Sequence, residues 1–492
     1  MRRRAGFRRD NTMPNDPGTR AFTRWLIYAS MLLASVGLFF VVRSLGEGLS
    51  APSSSTPAVA LHAASAAPKS LVHVLFALIA IIVASRGLGF VFRRLRQPAV
   101  VGEVIAGICL GPSLLGRVWP QAQMFLLPPA VAPYLGLLSQ VGVILFMFLV
   151  GMELDTGLIR RRSHATLAIS HASIAAPFFL GSLAALWLYP RYSNSQVPFT
   201  VFALFSGVAV SVTAFPVLAR ILTDTGIQRS SLGVMALTCA AVDDVTAWCL
   251  LALVVGVAQA EVAGALQTWL LSLAYVLFML AVVRPFVAKR VAQREHHTEL
   301  SQNAVALVIV ALLASTLTTE VIGIHAVFGA FLLGAVIPHG SRLAAELKHK
   351  LEDLVLVLFL PAFFAFTGMR TQMGLVNGVD QWLACLGIIA IACLGKFGGS
   401  FVAARLTGLA TRDAASIGVL MNTRGLMELI VLNIGLDLGV ISPTLFAMMV
   451  IMALVTTFAT TPLLRFILRD DPMFAIDRAR PSIVNPTRPS AG

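Results

Sequence analysis

Five ionisable side chains stand inside apolar runs: the adjacent Asp243 and Asp244 (CAAVDDVTAWCLLALV), Lys396 (IACLGKFGGSF), and Arg424 with Glu428 (MNTRGLMELIVLNIG). A charge at the centre of a bilayer costs about 2.5–3.5 kcal/mol on insertion scales, so such groups mark ion or proton chemistry by default. A Lys ammonium and one carboxylate at a common depth neutralise each other. The second carboxylate is then left without a fixed partner, and a mobile monovalent cation or a proton is the natural one. Arg424 and Glu428 are four residues apart on one helix face and can pair with each other. Glu428 can instead offset the positive end of a half-helix.

Two backbone interruptions accompany these charges. In FSGVAVSVTAFPVLARIL, Pro216 lacks an N–H and its ring crowds the carbonyl of Val212, four residues back. Ser211 and Thr213 supply hydroxyls beside that gap. The second interruption is the polar run Asn422, Thr423, Arg424 and Gly425 within an otherwise apolar span. Unwound backbone at membrane depth is tolerated only where it is buried in protein or lines a cavity. Paired broken helices in corresponding halves of a chain point to a transport site.

The elements that must position these residues are set by composition. Of 492 residues 57% are apolar and 12% charged, and the mean hydropathy is +0.84. That excludes a soluble globular domain and a disordered chain. Long unbroken apolar runs exclude an alternating barrel. An all-α polytopic membrane protein remains. Thirteen candidate helices span 71–92, 98–116, 133–152, 165–189, 199–219, 231–257, 267–288, 304–321, 323–337, 353–371, 380–405, 414–437 and 442–468, the ninth being short for a full crossing. They predict an inverted repeat of helices 2–6 against 9–13, with the fifth and twelfth discontinuous. Ahead of them, Trp25–Val42 is an apolar run between a basic N-terminus and a Ser/Ala/Pro-rich linker. It reads either as a signal anchor or as a cleaved signal peptide. The expected division is 1–70 for the N-terminal segment, 71–468 for the membrane domain and 469–492 for a short tail.

The net charge of +14 is a topology signal rather than a nucleic-acid footprint, because the basic residues gather in alternate loops: Arg93–Arg96, Arg160–Arg162, Arg220 with Arg229, Lys289–Arg294, Arg342–Lys350 and Arg412. Those loops are expected on the cytoplasmic side of the inner membrane, with the C-terminus. At 1.5 Å rise per residue, Asp243, Lys396 and Glu428 fall roughly 18, 14 and 21 Å from that side, near mid-membrane. The five cysteines lie in apolar stretches without metal-ligand spacing, and no cofactor is implied.

The segments QPAVVGEVIAGICLGPSLLG, FLVGMELD, TAFPVLARIL, AAVDDVTAW, GKFGG and NTRGLMELIVLNIG, in this order, resemble the monovalent cation/proton antiporter-2 family of the sodium/hydrogen exchanger superfamily. The resemblance covers nearly all of 71–468 and implies a homodimer whose core domain moves like an elevator. By position it implies that Asp244 is the ion-binding carboxylate, holding Na⁺ or K⁺ transiently. Asp243 falls where electrogenic sodium/proton members carry Asp and others often Asn or Gln, and Lys396 falls at the basic residue that pairs with it. The helix 12 wording is closer to plant and fungal cation/proton exchangers, which leaves Na⁺ and K⁺ both open. Two rival functions compete with this one. A symporter of an organic anion on the same fold needs room for a solute that no feature marks. An intramembrane aspartyl protease needs two carboxylates facing one water, whereas Asp243 and Asp244 diverge by about 100° around one helix. The expectation is a transporter, not an enzyme.

Overall fold

The computed structural model describes residues 17–52, 70–95, 97–153, 164–228, 230–259, 262–294 and 301–469. The basic N-terminus, most of the linker, Arg160–Arg162, Arg229 and the tail from 470 onward lie outside the described residues. Every regular element among the described residues is helical. The helices are α1 (Pro17–Gly46), α2 (Ser70–Arg94), α3 (Ala99–Leu110), α4 (Ala132–Glu153), α5 (His164–Tyr192), α6 (Phe199–Ser211), α7 (Phe215–Asp224), α8 (Ser231–Gln259), α9 (262–294), α10 (Gln302–Ile322), α11 (Ala326–Val336), α12 (342–370), α13 (Val379–Leu406), α14 (Thr411–Met421), α15 (Leu426–Asp437) and α16 (Pro443–Ile467). Two short helices, Leu115–Val118 and Pro120–Leu126, connect α3 to α4.

Eleven helices among the described residues are long and apolar enough to cross a membrane, and twelve when the bent pair α14–α15 counts as one span. Each of the thirteen expected segments is helical, and α11 is the short one, with 11 residues. Local signals set several ends. Ser301, Ser341 and Ser442 cap α10, α12 and α16 by accepting a backbone N–H in the first turn. Gly323 stops α10 in the left-handed conformation, φ 93°.

The helices pack as two bundles. One holds α2, α3, α4, α10, α11 and α12, and the other holds α5–α8 and α13–α16. α9 lies between them, and α1 packs on α5 and α6 of the second bundle. Bare backbone contacts tighten each bundle. A Cβ on Gly368 of α12 would stand 2.1 Å from the carbonyl carbon of Gly107 in α3. A Cβ on Gly395 of α13 would stand 2.6 Å from Pro177 Cα in α5. With lipid tails as apolar as any side chain, such close approach is the main source of helix association in a bilayer. Leu, Val and Phe side chains such as Phe40, Leu183 and Leu313 cover the outside of the molecule.

Candidate functional site

Both interrupted helices are broken where the sequence predicts. α6 ends at Ser211, Val212–Ala214 run extended, and α7 begins at Phe215 with Pro216 in its first turn, where a missing N–H is harmless. α14 ends at Met421 and α15 begins at Leu426, with a bend of 43° between them. The two unwound segments cross. The Ala214 amide donates to the Thr423 carbonyl at 3.0 Å, and Thr213 Oγ1 reaches the Met421 carbonyl at 3.3 Å. Four half-helix ends therefore meet in the middle of the second bundle.

Arg424 satisfies one of those ends. Its guanidinium donates to the carbonyls of Ala209 (3.1 Å) and Val210 (2.5 Å) in the last turn of α6, and to Glu428 Oε2 (3.2 Å). These carbonyls have no intrahelical partner, and a cation suits the negative end of a helix. Glu428 sits in the first turn of α15, at its positive end. Both roles considered for it are present together. The Thr457 hydroxyl of α16 accepts from the Arg424 amide and donates to its carbonyl.

The acidic pair lies on α8 beside the crossing, with Asp243 0% and Asp244 1% exposed. Asp243 is fully engaged. It accepts from Ser170 (2.7 Å), Ser173 (2.5 Å) and Thr213 (2.9 Å), and pairs with Lys396 Nζ at 3.2 Å. Lys396 also donates to Thr213, so the ammonium reaches Asp243 directly and through one hydroxyl. Lys396 occupies a π-helical turn, Leu394–Gly398, in α13. Such turns recur at functional sites, and α9 and α12 each carry one as well, at Met279–Val283 and Val355–Phe359. Asp244 is different. One carboxyl oxygen, Oδ1, has no hydrogen-bond partner, and at the α14–α15 break Asn422 Oδ1, Thr423 Oγ1, Arg424 Nε and Glu428 Oε1 also have none. The backbone N–H of Phe215, first residue of α7, faces the Asp244 carboxyl. Buried polar atoms without partners are rare and call for a ligand, water or ion.

The structure thus brings Asp243, Asp244, Lys396, Thr213, Asn422 and Thr423 to one crossing, with Arg424 and Glu428 beside it. Gly425 allows the close passage of α7, since a Cβ there would stand 2.6 Å from Val217 Cγ2. Ser211 does not join the site: its hydroxyl turns back to the Val208 carbonyl of its own helix. Ser170 and Ser173 went unread in the sequence. Their signal is two hydroxyls three apart on an apolar helix, ISHASIAAP, one turn before Pro177.

Two helices broken at mid-span, crossing beside a buried carboxylate pair and a lysine, define a polytopic secondary ion transporter. The family model for the transmembrane sodium/hydrogen exchanger matches residues 74–469. The chain belongs to that family. It is 44% identical over 396 residues to the Na(+)/H(+) antiporter NhaS4 of Synechocystis sp., covering 80% of this chain and 97% of that one. It is 40% identical to Cation/H(+) antiporter 17 of Arabidopsis thaliana and 34% to K(+)/H(+) antiporter 1 of Saccharomyces cerevisiae, covering 78% and 77% of this chain. Of those two relatives it spans only 47% and 44%. The fold is similar to that of the sodium proton antiporter MjNhaP1 of Methanocaldococcus jannaschii, with a TM-score of 0.58 at 14% identity over 83% of this chain and 99% of that one.

Proposed function

We propose that the protein exchanges Na⁺ or K⁺ for protons across the inner membrane, binding either at Asp244. The observation that carries this reading is the buried Asp244 oxygen left without a hydrogen-bond partner near the crossing of the two unwound segments, while Asp243 is engaged by Lys396 and three hydroxyls. A cation and a proton at one carboxylate exclude each other. Alternating exposure of that carboxylate then couples their movements without a further gate. The names of the Synechocystis and yeast relatives support sodium and potassium respectively as the cation. The second bundle, which holds every site residue, is the part that moves, elevator-like, against the first. The first bundle is the dimerising part of a homodimer, and the C-terminus lies in the cytoplasm.

The test uses everted vesicles loaded with a pH-sensitive dye. Adding Na⁺, K⁺ or Li⁺ to the intact protein dequenches the dye, and the order of potency gives the selectivity. Asp244→Asn reduces the response at least tenfold. A mutant that still releases protons at the original rate on cation addition refutes Asp244 as the carrier.

A further inference from the structure

The two bundles are tied by a polar cluster at the end of the molecule away from the basic loops. Arg370, the last residue of α12, pairs with Asp437, the last residue of α15, at 2.6 Å. Its other nitrogen donates to Asn433 Oδ1 at 3.1 Å. The Asn433 amide group donates in turn to Thr367 Oγ1 of α12 and to the Leu429 carbonyl, each at 2.9 Å.

Each half of this cluster is anchored within its own bundle. On the α12 side, Ser113 donates to the Thr371 carbonyl at 2.5 Å and accepts from the Met373 amide at 3.0 Å. That fixes the end of α12 to the end of α3. On the α15 side, Asn194, just past α5, donates to the Gly439 carbonyl at 3.0 Å. Arg370, Thr367, Asn433 and Asp437 therefore bridge two separately pinned ends. The placement of Asp437 is telling in itself. A carboxylate at a helix C-terminus opposes the helix dipole, so α15 gains nothing from it, and its compensation comes from Arg370 on the other bundle.

A second contact joins the bundles on the same side of the site. Trp248 lies one turn beyond Asp244 toward this end and is 3% exposed. Its ring stacks on Phe331 of α11, centroids 6.4 Å apart, which closes the bundle interface above the site.

We infer that Arg370, with Asp437 and Asn433, is a latch that holds the molecule closed at the end away from the basic loops and must part in every transport cycle. Arg370 is a positioning residue, since it touches neither carboxylate of the site. The inference rests on the alternating-exposure reading above.

The test begins from a chain whose five native cysteines are replaced by alanine. Thr367→Cys and Asn433→Cys are added and bridged by a short bifunctional methanethiosulfonate. Cation-dependent proton release falls at least tenfold on bridging and returns on reduction. A bridged protein that exchanges at the unbridged rate overturns the latch. The second variant, Arg370→Gln, is read by amide hydrogen exchange in nanodiscs. Amides of 426–437 exchange at least tenfold faster than in the parent, and unchanged protection overturns the latch. If the parent protein moves no cation against protons, the proposed function fails, while the hydrogen-exchange arm still decides the latch.

Discussion

Lys396 and Asp243 are each 0% exposed, and the distance between them is short enough for a charge-assisted hydrogen bond. Removing one partner of such a pair leaves an uncompensated buried charge and costs about 3–5 kcal/mol. Lys396→Ala therefore lowers thermal stability as well as exchange, because Ser170, Ser173 and Thr213 cannot neutralise Asp243. Adding Asp243→Asn to Lys396→Ala restores part of the stability, since an amide can still use the three hydroxyls. Thermal unfolding of the two single mutants and the double in detergent gives the coupling between the residues. A double mutant no more stable than Lys396→Ala would rule out the pairing. Neither variant replaces Asp244, so loss of exchange in Lys396→Ala reports the pair rather than the carrier.

Among the elements, the crossing of the two unwound segments is the part with least tolerance. Gly425 has extended backbone that any residue adopts, so its requirement is steric. An added Cβ meets Val217 Cγ2 at 2.6 Å and Ala214 Cβ at 3.3 Å, and a β-branched side chain has little room to yield. Gly425→Ala forces the segments apart at the Ala214–Thr423 hydrogen bond. The expected result is at least a tenfold loss of exchange and a lower thermal midpoint. Gly387→Ala in α13 is the control, since nothing lies within 4 Å of where its methyl group would stand. In a helix that change is worth about 0.5–1 kcal/mol in the favourable direction, so exchange there stays at the parent rate. Equal loss in both variants would count against a special role for the crossing.

At the scale of the molecule, the single carboxylate proposed to serve both ions makes transport depend on pH through competition alone. A cation binds the deprotonated carboxylate. Raising the pH removes the competing proton, so the apparent cation affinity tightens, by up to about tenfold per pH unit while the carboxyl is mostly protonated. Lowering the pH does the reverse, and maximal rate changes little over the same range. A separate sensor built on His164, His296, His297 or His349, of which His296 and His297 lie outside the described residues, makes the opposite prediction. Replacing all four with Gln leaves the dependence intact under competition and abolishes it under a sensor. Cation titrations at several pH values in vesicles decide between them.

Composition and hydropathy determined a polytopic helical chain, because only a helix satisfies its own backbone over some 20 apolar residues in lipid. Pro216 and the Asn422–Gly425 run located both broken spans by local backbone chemistry, and Asp243, Asp244 and Lys396 were marked by the cost of charge in lipid. Helix depth, at a fixed rise per residue, brought them to one level. Side-chain partners were a different matter. Lys396 and Asp243 are 153 positions apart, and Ser173 and Asp243 are 70 apart. Adjacent carboxylates on one helix face different neighbours; the resemblance implied that Lys396 pairs with Asp243, but only the packing of α5 on α8 and of α13 on α5 brought Ser170 and Ser173 to that same carboxylate. The same holds for Arg424 on the α6 carbonyls and for Arg370 on Asp437. A periodic apolar pattern specifies which depth and which face a residue occupies, but not which helix lies opposite it. That is set by close backbone approaches such as Gly395 on Pro177 and Gly368 on Gly107, which exist only once the bundles have packed.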